Sequence, residues 1–523
     1  MSALSLGVDV GGTNTDAVLV RNRLLVASVK TPTTEDVETG VFHAIQSLLE
    51  SAGVGAHAIA TVTIGTTQFT NAFIERRRLV PIGVIRLAAP ATTSVPPLYD
   101  WPDELLKLLG REVAIVGGGY EFDGREIAPL DQAAVRDAAR KFRMSGIRSF
   151  AISCAFAPLN SSMEFRAAEI VRAQVPGALV SLSSEFGRIG LLERENATAM
   201  NASLLPLAET VVGSFRRALK NLGIQAPFFI SQNDGTLMRA DEVERRPVLT
   251  FASGPTNSMR GAALLSGLDD AIVVDIGGTT TDVGCLVRSF PRESALTVDI
   301  GGVRTNFRMP DLISIGLGGG SLVTFGPKAA VGPRSVGYEL VHQARVFGGA
   351  ILTATDIAVA SAAADIGNRS LVNNLPPFQV NAALDEIHRL VEDAIDRMKT
   401  NKADVPVVLV GGGSILITRA LKGVGRVVVP ENSSVANAVG AAIAQVGGEV
   451  DTYFDYELQG REAVLNAAKS NAFSRAIAAG AESSSLRIVE VDEVPLGYLP
   501  GKKVRVRVKA IGDLNLGLVA NVQ

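Results

Sequence analysis

Cysteine is nearly absent. Two thiols, Cys154 and Cys285, in 523 residues exclude a disulfide framework, a four-thiolate metal site and an iron–sulfur cluster. Each reads as a small core residue in a reducing compartment. Histidine is almost as scarce: His43, His57, His342 and His388 are scattered and read as packing or surface residues, not as ligands. No apolar run approaches the ~18 residues that span a bilayer. The N-terminus has no basic patch and enters a strand at once, so no secretory signal or membrane anchor is expected and the expected location is cytoplasmic. Neither sign of charge dominates, with 50 basic against 53 acidic residues and a net charge of −3. That balance gives no reason to expect a polyanion partner and disfavours nucleic-acid binding. The patterns GxxxxGK[ST], GxGxxG, HExxH and GxSxG are also missing, which excludes a P-loop enzyme, a dinucleotide fold and two common hydrolase designs.

Glycine is what the chain has in excess: 52 residues, about a tenth against a usual ~7%. It has no collagen period and fills no linker. The length suits two or three domains. Short apolar β-branched runs alternate with amphipathic helical patterns, the mark of α/β layering. One helix is expected after Thr33-Thr34-Glu35-Asp36, with Val37, Val41, Ile45, Leu48 and Leu49 inward and Gly53 as its stop. A second is expected near Asp131 to Gly146, burying Val135, Ala138, Ala139 and Phe142. A third keeps a 3.6-residue period through Leu384, Ile387, Leu390, Val391, Ala394, Ile395 and Met398. It leads to a buried strand at 405–410 and a Gly411-Gly412-Gly413-Ser414 turn, followed by a helix over 434–445. In the tail, Val504, Val506 and Val508 alternate with Arg505, Arg507 and Lys509, which predicts a half-exposed strand.

The most informative feature is an internal echo. Asp9-Val10-Gly11-Gly12-Thr13-Asn14-Thr15-Asp16 returns far downstream as Asp275-Ile276-Gly277-Gly278-Thr279-Thr280-Thr281-Asp282. Each copy reads as strand, acid, bare turn, second acid and strand, hence a β-hairpin. Two copies half a chain apart predict two similar domains facing each other. A Gly-Gly-Thr turn exposes backbone N–H groups and hydroxyl donors, which receive phosphate oxygens. The acids repel phosphate; they hold a divalent cation through water or orient a nucleophile. Two such hairpins make a clamp for a Mg-nucleoside triphosphate. The Gly411-Gly412-Gly413 turn offers bare backbone for a purine.

This layout resembles the actin/sugar-kinase/heat-shock ATPase superfamily. Within it the chain resembles the hydantoinase/oxoprolinase family, specifically the hydantoinase A-type subunit in a short form ending at 494–501. Beyond the two hairpins, the likeness runs in order through Gly65-Thr66-Thr67-Gln68-Phe69-Thr70-Asn71-Ala72, Asp123-Gly124, Glu193-Arg194-Glu195-Asn196, Asn201-Ala202 and Gln232-Asn233-Asp234-Gly235. It continues through Ser253-Gly254-Pro255, Ile315-Gly316-Leu317-Gly318-Gly319-Gly320-Ser321, Val331-Gly332-Pro333-Arg334-Ser335 and Thr355-Asp356.

The resemblance implies two actin-like ATPase (ribonuclease H-like) lobes with a nucleotide cleft between them, plus a small C-terminal α+β addition. The expected segments are 1–190, 191–450 and 451–523. It implies ATP and Mg²⁺ as cofactors and the ATP-dependent opening of a cyclic amide such as a hydantoin, oxoproline or lactam. Amide resonance opposes attack by water; phosphorylating the carbonyl oxygen removes that protection. Carried onto this sequence, Asp9 and Asp275 become the metal and nucleophile-orienting acids. Gly11, Gly12, Thr13, Asn14, Thr15, Gly277, Gly278, Thr279 and Thr280 line the phosphates, Gly318 and Gly319 lie by the cleft, and Thr66, Thr67 and Asn71 face its reacting end. A second hydrolytic subunit and an oligomer are expected partners. Tyr338-Glu339-Leu340-Val341 and Ile313 depart from the family pattern, so the substrate class stays open. Asp299-Ile300-Gly301-Gly302 looks like a third hairpin copy without its Thr or second acid and reads as structural. A small-molecule kinase and an ATP-driven activator of a partner protein are the competing functions.

Overall fold

The computed structural model describes residues 4–34, 36–186, 189–294, 297–306, 308–497 and 501–515. Among these, one nine-stranded sheet runs in the order Arg487–Pro495, Lys503–Gly512, Gln445–Asp455, Thr236–Arg239, Phe228–Ser231, Ile59–Thr66, Leu4–Val10, Asn14–Arg21, Leu24–Pro32. A six-stranded sheet holds Phe290–Pro291, Thr281–Val287, Ala271–Ile276, Val405–Val410 and Val424–Val428, with Leu312–Ile315 paired on Thr281–Val287. A four-stranded parallel sheet spans residues 82–182. The nine-stranded sheet therefore draws on all three of the expected segments. Its parallel pairings cannot be made by tight turns, so each partner strand returns from far along the chain.

The helices follow the sequence periodicity closely. Val37–Ala52 is capped by the Asp36 side chain, which accepts from Thr39 N–H, and ends on left-handed Gly53. Gln132–Met144 buries Val135, Ala138, Ala139 and Phe142. Pro377–Met398 buries Ile387, Val391, Ala394, Ile395 and Met398 together with His388. The helix expected over 434–445 is shorter: Ala436–Ala442, after which Gln445 already opens a strand.

Two helices carry the chain between the sheets. Ser253–Ser266 leads into the six-stranded sheet and packs on Ala271–Ile276 and Val405–Val410, while Ala436–Ala442 leads back and packs on Leu4–Val10 and Ile59–Thr66. They cross on bare backbone. A Cβ on Gly261 would strike the Ala436 carbonyl, and one on Gly440 would strike the carbonyl of Asn257. Glycine is required at this crossing because no rotamer change can relieve a backbone clash.

The apparent third copy forms the ribbon Val298–Ile300 and Val303–Thr305, closed by Gly302 N–H donating to Asp299 Oδ1 at 2.9 Å. Ile300 and Val303 are buried in the core of the first lobe. The tail strand corrects the sequence reading. Lys503–Gly512 lies between two other strands, and Arg507 and Lys509 are only 5% and 4% exposed. The alternation marks a row of ion pairs, not a wet face: Lys509 meets Asp234 at 2.9 Å, and Arg507 meets Glu293 and Glu490. No helix among the described residues is long and apolar enough to cross a membrane.

Candidate functional site

Both echo segments fold as antiparallel hairpins with matching registers. Asp9 stands opposite Asp16 in the first, and Asp275 opposite Asp282 in the second. In each, the first glycine closes the turn, Gly11 N–H donating to Asn14 O at 3.0 Å and Gly277 N–H to Thr280 O at 2.9 Å. The next two amides of each turn, at Gly12 and Thr13 and at Gly278 and Thr279, have no protein acceptor among the described residues. The tips meet: a Cβ on Gly278 would sit 3.0 Å from Thr13 Oγ1. Unspent amides from both lobes thus lie where the two tips meet, with an acid on the strand leading into each turn.

The neighbouring parallel strand supplies a glycine beside each first acid. Gly65 is the register partner of Asp9, and a Cβ there would lie 2.7 Å from Asp9 Oδ1 and 2.6 Å from Asn257 Nδ2. Gly411, at φ +83°, takes the same place against the Asp275 carboxylate. Asp9 is buried, and Asn437 Nδ2 donates to its Oδ2 at 3.3 Å. Burial, reinforced by Asp16, pushes Asp9 up to about 7; burial pushes Asp275 to about 6, against the pull of the nearby Ser258 hydroxyl. Asp9 Oδ1 and both polar atoms of the Asn257 side chain are buried without hydrogen-bond partners among the described residues. Unpaired buried polar atoms are costly, and the two oxygens among them are acceptors of the kind that a hydrated cation satisfies. No group of three or more His, Cys, Asp or Glu is gathered to ligate a metal directly among the described residues. The donor set therefore fits a divalent cation carried by a phosphate chain and reached from Asp9 and Asp275 through water.

The other expected site residues divide by what the structure does with them. Gly318 and Gly319 brace the second hairpin: Gly319 N–H donates to Gly277 O, Gly320 N–H to Gly278 O, and Gly318 N–H to Ser321 Oγ. None of these three amides is left for a ligand. Thr355 holds that brace, its N–H and Oγ1 both donating to Gly319 O at 2.9 Å, and buried Asp356 gathers the N–H groups of Thr353 and Val346 beside it. Gly411 and Gly413 pack on the backbone at Ile276, while Gly412 is exposed with open space where a side chain would be. Thr66 is buried and its Oγ1 accepts from Gln68 N–H; Asn71 Nδ2 donates to Thr67 Oγ1 at 3.3 Å.

Sequence reasoning missed the brace of the first hairpin. Thr33 Oγ1 donates to Gly11 O at 2.8 Å, Thr33 N–H to Thr13 O at 3.0 Å, and Thr31 Oγ1 to Thr15 O. Lys30, the register partner of Asp16, reaches both its carboxylate oxygens at 2.6 and 2.7 Å. The available signal is the run of hydroxyls at 31, 33 and 34, of which Thr33 and Thr34 also read as the lead-in to a helix.

Comparison with known proteins agrees with this architecture. A model of the hydantoinase/oxoprolinase N-terminal region matches residues 5–175, and one of hydantoinase/oxoprolinase matches residues 194–363. The chain belongs to the hydantoinase/oxoprolinase family. It is 29% identical over 360 residues to caprolactamase subunit alpha of Pseudomonas jessenii, a match spanning 64% of this chain and 50% of that protein. It is 27% identical over 391 residues to the acetophenone carboxylase gamma subunit of Aromatoleum aromaticum, spanning 68% and 52%. The chain thus spans about half the length of the curated relatives it matches. The solved ATP-dependent caprolactamase from Pseudomonas jessenii superimposes with a TM-score of 0.77 at 21% identity, over 98% of this chain and 88% of that one. The fold is the actin-like ATPase fold. Of the family-like segments, Glu195 and Asn196 are architectural here: Glu195 is ion-paired to fully buried Arg86, and Asn196 accepts from Trp101 Nε1 at 2.8 Å.

Proposed function

We propose that this chain is an ATP-dependent enzyme that opens a cyclic amide by phosphorylating its carbonyl oxygen, alone or as the ATP-using subunit beside a hydrolytic partner. The observation that carries the reading is the meeting of two hairpin tips, each with two unspent amides and a carboxylate behind it. Bound MgATP would supply the phosphoryl group that makes an unreactive amide open to water. On this reading the amides of Gly12, Thr13, Gly278 and Thr279 hold phosphate oxygens, and Asp9 and Asp275 hold the water shell of the cation. Gly412 offers bare backbone to the nucleoside. Thr67 and Asn71, beside the Asp9 strand end, orient the ring. The likeness to a caprolactamase subunit supports a lactam-type substrate, and the likeness to a carboxylase subunit supports a second reading in which a ketone is the phosphoryl acceptor.

The test is ADP release by the purified chain across hydantoins, lactams and ketones with bicarbonate, with and without the product of an adjacent gene. Acceleration by a ring, with equal amounts of ring-opened acid and phosphate, supports the first reading. Acceleration by a ketone alone shifts it to the second. ATP turnover indifferent to every compound, partner included, overturns both.

A further inference from the structure

Three charged groups stand side by side across the first lobe's cleft-edge strands: Asp9, its register partner Asp16, and Asp16's register partner Lys30. The matching row in the second lobe is Asp275, Asp282 and Ser314, whose hydroxyl donates to Asp282. The rows begin alike and end differently, in an ammonium on one side and a hydroxyl on the other. Of the two rows only the first ends in a cation, and that cation is held on Asp16.

A strand lysine paired with a strand acid is ordinarily a modest surface contact. Three features set this one apart. The Asp16 side chain is 9% exposed, so it is a buried anchor, whereas the Lys30 side chain stays 35% exposed. An ammonium has three donors; two distances, 2.6 and 2.7 Å, tie Lys30 to Asp16, and a further N–H remains. The turn donors around it are neutral, while the groups behind them are acids, so a polyphosphate entering the gap meets no other full positive charge from these two rows.

We propose that Lys30 is the cleft's phosphate-recognising cation, tethered by Asp16 so that its remaining N–H is aimed at the terminal phosphoryl group of a bound nucleoside triphosphate. The proposal rests on the nucleotide reading above and gives it a group that distinguishes a triphosphate from a diphosphate. Asp16 is then a positioning residue: it holds the ammonium in place and touches no ligand. The difference between the rows also assigns the lobes different tasks, with phosphate charge met from the first and neutral backbone donors supplied by the second.

The experiment is equilibrium binding of MgADP and of the magnesium complex of a β,γ-imido ATP analogue to the full chain. Lys30→Met keeps the aliphatic stem and removes the charge. It is expected to weaken the triphosphate analogue about tenfold or more, since one charge-assisted hydrogen bond is lost, and to leave ADP within about twofold. Lys30→Arg is expected to recover most of the loss. Because Lys30→Met leaves Asp16 buried without its partner, the double variant Lys30→Met with Asp16→Asn carries the same expectation in a neutral background. A merely structural Lys30 would weaken both nucleotides together or neither, and either result overturns the proposal. If the unmodified chain binds neither nucleotide, the nucleotide reading itself fails and this proposal with it. If it binds both and Lys30→Met discriminates as before, only Lys30 loses its role.

Discussion

The two hairpins share a register and a turn, yet they are held by different supports. The first is braced by the hydroxyls of Thr31, in the neighbouring strand, and of Thr33 just beyond it, with one Thr33 backbone bond, and its second acid is neutralised by Lys30. The second is braced by backbone, the Gly318-Gly319-Gly320 turn folded onto Gly277 and Gly278, and its second acid takes a hydroxyl. Both braces serve the same end, which is to fix a turn whose own amides must stay unspent. A duplicated motif therefore need not keep duplicated supports; each lobe stiffened its copy with what its topology placed nearby.

The sharpest way to break the comparison is to remove the acids one at a time. Asp9→Asn and Asp275→Asn are each expected to cut nucleotide turnover about a hundredfold or more, the scale of a lost charge-stabilising group; one variant retaining full ADP release would show that only one hairpin acts. Next come the glycines beside the acids. Gly65→Ala and Gly411→Ala should each displace a carboxylate and lower turnover about tenfold to a hundredfold, since misplacing a catalytic group by an ångström carries that cost. Gly411→Ala should also lose about 1–3 kcal/mol in denaturant unfolding, because only Gly411 of the pair has a positive φ. Equal unfolding losses would remove that distinction.

The braces follow. Thr33→Val and Thr355→Val delete a half-buried and a buried hydroxyl bond respectively and should each cost about 1 kcal/mol. Weaker nucleotide binding should accompany both, read by titration, and a loss in only one lobe would make that lobe the stiffer partner. The smallest effect is a pH dependence confined to the second lobe. His388 accepts from the N–H groups of Thr418 and Arg419, in the segment after the Gly411-Gly412-Gly413 turn, and burial holds its imidazole below the ordinary value. The folded chain thus resists a proton that the unfolded chain accepts. Its contribution is whole above about pH 6.5 and is lost as the pH falls below that. Hydrogen exchange at Thr418 and Arg419 should quicken below that pH and change less in His388→Gln.

Much of this was legible in the sequence because it is local. The hairpins, the Asp36-capped helix and the buried faces of three helices depend on residues within a turn or two of one another. The braces were not legible: Thr33 reaches Gly11 across 22 positions and Thr355 reaches Gly319 across 36, and no period in the sequence encodes such a contact. The family resemblance places Gly318 and Gly319 by the cleft, but the sequence does not show that their amides are spent on Ser321 and Gly277, because a bare turn looks the same whether it meets a ligand or another backbone. The tail misled for a related reason. Alternating charge means solvent unless opposite charges arrive from elsewhere, and here Asp234, Glu293 and Glu449 come from distant segments.

The strand Lys503–Gly512 also sets an order of events during synthesis. Burial pushes the Asp234 carboxyl up, but Lys509 and Thr236 outweigh it and hold it down to about 2. Until residue 509 has left the ribosome, an acid already destined for the interior lacks this counter-charge, and the nine-stranded sheet ends on the open edge of Gln445–Asp455. Sheets closed by such distant pairings form slowly, and unpaired strand edges invite association meanwhile. The first lobe can finish folding only after residue 512 is made, whereas the six-stranded sheet, complete by residue 428, can assemble earlier and wait for it.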